Sequence, residues 1–224
     1  MKKLLRTILA LLLLMVTPLT VQANEGRLFT SEYLTSTIVN HITQDQQGYI
    51  WIATANGLNR FDGYHFTCYS YQPDKERSLS HNNVLTLFVD SEGQLWVGTV
   101  KGLNLYNKAT DDFLHFDIRP DTDDEPRITN IVESPQGTII VGTSGFGLYE
   151  VEKHKTDIRQ INQYSANDEN DYYWGIFFDS QGRFWKSDNN GNISCFSAGE
   201  KPQLLLKLQP TTGTYLYVSG RSQR

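Results

Sequence analysis

The sequence predicts an all-β chain built as a β-propeller, and three observations carry that prediction. The first is a phrase, Asp90-Ser91-Glu92-Gly93-Gln94-Leu95-Trp96-Val97-Gly98-Thr99-Val100-Lys101-Gly102-Leu103, that occurs four times. The second is its spacing: the turn glycines fall at 48, 93, 137 and 182, in steps of 45, 44 and 45. The third is composition, with 12 Tyr, 11 Phe, 4 Trp and 17 Gly and no long helical periodicity. Aromatic residues favour strands and glycines punctuate turns. A period of ~40–50 residues made only of short strands is a propeller-blade signature.

Each element of the phrase has a physical reason. Asp90 closes one strand, a turn carrying Gly93 follows, and Leu95-Trp96-Val97 forms a second strand with one buried face. Gly93 and Gly102 stand where tight turns need positive φ, which only glycine adopts cheaply. The first copy runs Asp45-Gln46-Gln47-Gly48-Tyr49-Ile50-Trp51-Ile52-Ala53-Thr54-Ala55-Asn56-Gly57-Leu58. The third, Ser134-Pro135-Gln136-Gly137-Thr138-Ile139-Ile140-Val141-Gly142-Thr143, lacks the Asp and the Trp and has one extra loop residue before Leu148. The fourth, from Asp179 to Gly191, keeps both but lacks the Gly/Ala-Thr pair.

Four strands are expected per unit. An inner strand precedes the turn, with apolar pairs in register: Val39 and Ile42, Val84 and Leu87, Ile128 and Ile131, Tyr173 and Ile176. The Trp strand follows, then a third strand such as Leu58 to Phe61 or Leu103 to Tyr106. An outer strand such as His65 to Ser70 or Phe113 to Asp117 completes the sheet. Such a sheet cannot bury both faces alone, so blades must stack around an axis. Residues 51, 96, 140 and 185 are expected to form much of the inter-blade core.

The motif Asp-x-x-Gly-x-Leu/Ile-Trp-Ile/Val-Gly/Ala-Thr-x-x-Gly-Leu resembles the two-component regulator propeller repeat. Leu79-Ser80-His81-Asn82-Asn83-Val84 resembles that family's Leu-Ser-x-Asn-x-Val lead-in. The resemblance covers residues from about 30 to 200. It implies the periplasmic sensor region of a hybrid two-component system, whose relatives are thought to recognise oligosaccharides. Such relatives carry more blades, a membrane helix, a kinase and DNA-binding output, none of which is legible here. The chain is therefore expected to be a truncated portion of a longer sensor, an incomplete arc of a larger propeller.

Residues 1–23 read as a secretory signal, with basic Lys2, Lys3 and Arg6, an apolar run from Ile8 to Val16 and a Val21-Gln22-Ala23 cleavage site. A periplasmic or secreted mature chain is expected. Without the three basic residues the formal charge changes from −5 to −8 (−5 − 3), which disfavours a nucleic-acid partner. Blades are expected over 24–200, as approximate repeats 30–72, 79–118, 126–163 and 171–207. The segment 201–224 is read as the last outer strand plus a tail. Cys68 and Cys195 occupy unlike positions in the first and last repeats and are expected to be packed free thiols. No metal-ligand spacing surrounds them, the Asp121–Glu125 run lacks the alternation of a calcium loop, and no cofactor is implied.

Ligand candidates are loops at the channel end opposite the Gly48-type turns. The loops between blades supply His81, Asn82, Asn83, Arg127, Tyr172 and Trp174. The loops between second and third strands supply Asn56, Lys101, Phe146 and Asn189. Aromatic faces beside amide and cationic donors suit sugars, whose C–H faces stack and whose hydroxyls need directional partners. An enzyme is disfavoured, because His41, His81, His115 and His154 occupy unlike repeat positions. The alternative is a structural or protein-interaction propeller, with further blades or another sensor chain as partner.

Overall fold

The computed structural model describes residues 33–116, 118, 126–153, 158–164 and 172–210. The signal-like segment, the Asp121–Glu125 run, His154 and residues 211–224 lie outside them. The described residues form sixteen strands in four sheets. Blade 1 holds β1 (Val39–Gln44), β2 (Ile50–Thr54), β3 (Gly57–Phe61) and β4 (Phe66–Tyr69). Blade 2 holds β5 (Val84–Val89), β6 (Leu95–Thr99), β7 (Leu103–Asn107) and β8 (Asp112–Phe116). Blade 3 holds β9 (Ile128–Glu133), β10 (Ile139–Thr143), β11 (Leu148–Val151) and β12 (Ile158–Ile161). Blade 4 holds β13 (Tyr173–Phe178), β14 (Phe184–Asp188), β15 (Ile193–Phe196) and β16 (Leu204–Leu208). Every sheet is an antiparallel meander in chain order, and β1 adjoins β5, β5 adjoins β9 and β9 adjoins β13. The four blades form an incomplete arc of a propeller.

The repeated phrase folds as one hydrogen-bonded unit. In blade 2 the Asp90 carboxylate accepts the backbone N–H groups of Glu92 and Gln94 through Oδ1. Its Oδ2 accepts the Trp96 indole Nε1–H at 2.9 Å. Asp45 does the same with Gln47, Tyr49 and Trp51, and Asp179 with Gln181, Arg183 and Trp185. Copy three loses both ends of the pair together: Ser134 Oγ accepts only Thr138 N–H, and Ile140 carries no donor. Gly93 has φ 79° and lies under Gln46 of blade 1, so a Cβ there would meet the Gln46 amide at 2.6 Å.

Three apolar clusters fill the three blade junctions. Trp51, Ala53 and Leu58 of blade 1 pack against Val84, Leu87, Leu95 and Val97 of blade 2. Trp96, Leu103 and Leu105 of blade 2 pack against Ile128, Ile131, Ile139 and Val141 of blade 3. Ile140 and Leu148 of blade 3 pack against Tyr173, Ile176, Phe184 and Phe196 of blade 4. Each blade thus presents its Trp-strand face to the next blade and receives its predecessor on the other face. Lys186 stands where the other copies have Ile52, Val97 and Val141. Its buried ammonium lies 4.8 Å from the Tyr173 ring centroid within the blade 3–4 junction.

Two expectations are corrected at the outer faces. Trp185 is only half-buried, unlike Trp51, Trp96 and Ile140, because the face it presents meets no fifth blade among the described residues. Both cysteines are free thiols, but only Cys195 is packed; Cys68 is exposed and donates to Asn59 Oδ1. Cys68 lies on the receiving face of blade 1, beside which no other blade stands among the described residues.

Polar clamps reinforce the junctions at the turn end. Lys153 Nζ, nearly buried, lies against Glu133, 3.5 Å from Asp90 Oδ2 and 3.5 Å from Glu92 Oε1. Asp111, the one described non-glycine residue with positive φ, accepts the hydroxyls of Tyr69 and Tyr106 at 2.7 and 2.6 Å, and Arg60 reaches both Tyr106 and Asp111. Burial and the hydrogen bond to Asp111 push the Tyr106 hydroxyl up to about 12.

Candidate ligand rim

At the end opposite these turns, each blade brings two loops together with one repeated backbone bond. Ala55 N–H donates to Ile38 O, Val100 to Asn83 O, Ser144 to Arg127 O and Asn189 to Tyr172 O, all at 3.0–3.2 Å. The loop between second and third strands is thereby fixed to the chain entering the inner strand. The two sets of predicted ligand residues consequently share one rim.

Inner-strand bulges decide what the rim displays. In every blade the pairing of first and second strands skips one residue: Asn40, Leu85, Thr129 and Trp174. A bulge re-aims the skipped side chain and bends the strand. Asn40 Nδ2 reaches across to Val84 O at 2.6 Å, and Thr129 Oγ1 to Tyr173 O at 3.1 Å, so both are consumed in linking blades. Trp174, at the same position of blade 4, is 66% exposed, with no fifth blade beside it among the described residues. Beside it Tyr172 is 46% exposed, with its ring lying against Gly145, where a Cβ would meet Tyr172 Cζ at 2.9 Å.

The other predicted rim residues divide by environment. Asn56, Lys101, Arg127 and Asn189 are exposed. The Asn56 amide reaches Thr35 O at 3.4 Å. His81 Nδ1 accepts Asn83 N–H, Asn82 Oδ1 accepts Tyr71 N–H, and Asn83 Oδ1 accepts the Asn40 amide, so these three shape the loop. Phe146 packs against the blade 2–3 core and is half-buried. Of the predicted rim residues the structure thus leaves the aromatics Tyr172 and Trp174 exposed, with cationic and amide side chains on the neighbouring loops.

A strap missing from the sequence reading supports this rim in the first two blades. Asn59 donates to Thr35 Oγ1 and accepts Thr35 N–H; Thr35 Oγ1 in turn meets Thr54 Oγ1 at 2.9 Å. Asn104, Ser80 and Thr99 repeat the arrangement. The two family-model matches, residues 33–56 and 78–101, each include this Thr/Ser and its partner Thr. Both belong to the two-component regulator propeller family. The chain carries two-component regulator propeller repeats. In copies three and four the strap asparagine is replaced by Tyr149 and Ser194, and the family model does not match there.

Solved structures agree with these propeller repeats. The extracellular domain assigned to the hybrid two-component system BT3049 of B. thetaiotaomicron is 25% identical, with TM-score 0.68, over 80% of this chain and 26% of that one. That of BT4673 from the same organism is 25% identical, with TM-score 0.63, over 76% and 26%. Virginiamycin B lyase from Staphylococcus aureus shares the fold at 20% identity and TM-score 0.60, over 79% and 57%. The chain therefore spans about a quarter of the two sensor domains' length. No curated protein sequence matches. Among the described residues no helix is long and apolar enough to cross a membrane.

Proposed function

We propose that this regulator-propeller chain forms part of an extracellular ligand-reading propeller in a hybrid two-component system. Its ligand class is oligosaccharide, and a kinase outside this chain receives the signal. The observation that carries the reading is the rim pair Tyr172 and Trp174, exposed at the start of the inner strand β13 near Arg127 and Asn189. An indole face held on a bulge offers a flat apolar platform to sugar C–H groups, and the flanking amides and cations offer directional donors. Similarity to the extracellular sensor domains supports the same role. Export through the signal-like segment 1–23, with cleavage near Ala23, places such a rim outside the cytoplasm.

The test is a glycan array followed by calorimetric titration of the oligosaccharides retained. Saturable binding without turnover, lost in Trp174→Ala, supports the reading. Hydrolysis or elimination of the sugar would make the chain an enzyme, and failure to bind any glycan would leave a structural or protein-interaction propeller.

A further inference from the structure

The histidines of blades 1 and 2 bond to the backbone in two different ways. His41 Nδ1, on the inner strand β1, accepts the backbone N–H of Leu87, on the inner strand β5, at 2.8 Å. A backbone N–H can only donate, so this imidazole must present an unprotonated Nδ1. His115 Nε2 instead meets Ser78 O at 2.6 Å, and a carbonyl can only accept, so that nitrogen carries its proton whether the ring is neutral or charged. The His41 bond is therefore sensitive to protonation and the His115 bond is not.

The position of His41 ties it to the rim. Its neighbour Asn40 donates to Val84 O at 2.6 Å and to Asn83 Oδ1 at 3.3 Å, so two consecutive residues of β1 hold β5 and the lead-in to it. Neither β1 nor the strands packed against it, β2 and β5, carry any other titratable side chain. The lead-in to β5 adds His81, and the loop bonded to it through Val100 N–H and Asn83 O adds Lys101. β9, on the far side of β5, adds Glu133, which Lys153 and Ser91 already hold. No carboxylate on β2 or β5 faces His41 to neutralise an imidazolium, and burial lowers its pKa below the usual 6.5.

We infer that His41 is a proton-operated latch between the inner strands of blades 1 and 2, closed when its imidazole is neutral and released when it is charged. Protonation puts a second N–H where the Leu87 N–H points, so the bond is lost and two donors oppose each other. Because the folded pKa lies below the unfolded one, the latch contributes fully above 6.5 and is lost as pH falls through the folded value. Its release loosens the lead-in that carries His81, Asn82 and Asn83, so acid acts on the rim from the inner wall. The latch needs no ligand, and its failure leaves the sensor reading untouched.

Hydrogen exchange of the Leu87 amide in the full chain, followed by NMR and corrected for the intrinsic rate, tests this at about pH 7.5 and about pH 4.5. Protection in the wild type is expected to fall at least about threefold at the lower pH. In His41→Asn the Oδ1 atom takes the place of Nδ1 and accepts without titrating, so protection of Leu87 is expected to be the same at both. His41→Phe has no acceptor and is expected to give low protection at both, while His115→Asn is expected to keep the wild-type fall. Circular dichroism checks that each variant folds. Wild-type protection that does not change with pH, an equal fall in His41→Asn, or full protection in His41→Phe would overturn the inference.

Discussion

The indole Nε1–H of fully buried Trp51 donates to Asp45 Oδ2 at 2.7 Å, across six residues of a single turn. One carboxylate thus closes the turn through two backbone N–H groups and orients the side chain that fills the next junction. This is why Asp and Trp recur together, and why copy three lacks both.

Asp45→Ala should destabilise the fold by about 2–4 kcal/mol, since it leaves a buried indole donor and two turn N–H groups unpaired. In a double-mutant cycle with Trp51→Phe, the coupling should be about 1–2 kcal/mol. Urea unfolding of the four proteins measures it, and additive losses would show the pair to be independent.

The equivalent pair in blade 4 predicts an acid sensitivity. Desolvation raises the Asp179 pKa, but hydrogen bonds from Trp185, Arg183 and two backbone N–H groups outweigh it and bring the carboxyl from 3.8 to about 2. A depressed carboxylate adds stability above its unfolded value and loses it as pH falls through the folded one. Asp179→Asn should therefore flatten the dependence of the urea midpoint on pH between 3.8 and about 2. An unchanged slope would show that this group is not linked to folding.

Gly98→Ala should cost about 1–3 kcal/mol by overpacking. The new methyl would meet Thr86 Cγ2 at 2.6 Å and Ile128 Cγ2 at 2.7 Å in the packed blade 2–3 region. Gly142→Ala, whose nearest contacts are 3.3 and 3.4 Å, should cost less. Thermal unfolding of both variants checks the order.

Trp174→Ala should weaken oligosaccharide binding about tenfold, as expected for an aromatic contact of ~1.4 kcal/mol. The unfolding free energy should stay within about 0.5 kcal/mol of wild type, because the side chain is largely exposed. Calorimetry and urea titration on the same sample separate the two effects.

Much of the architecture was legible because period and turn chemistry are local. The 45-residue step, the turn glycines and the apolar pairs placed all four inner strands. One further signal lay unread. Val39 and Ile42 are three residues apart, yet strand faces alternate every two, so an apolar pair at that spacing on one face requires a bulge. The equivalent bulge of blade 4 holds Trp174, which the sequence pattern named only as one of ten candidates.

By itself the sequence determined the repeat, the blade and the coupling of Asp to Trp, because these depend on neighbours within one turn or one sheet. The tertiary structure decided which rim residues are spent on the loops, as His81, Asn82 and Asn83 are, and which face solvent. It also decided that Val39 and Ile42 stay exposed where Val84 and Leu87 are buried. Burial belongs to a junction between two blades, and identical residue patterns differ in exposure according to whether a neighbouring blade is there.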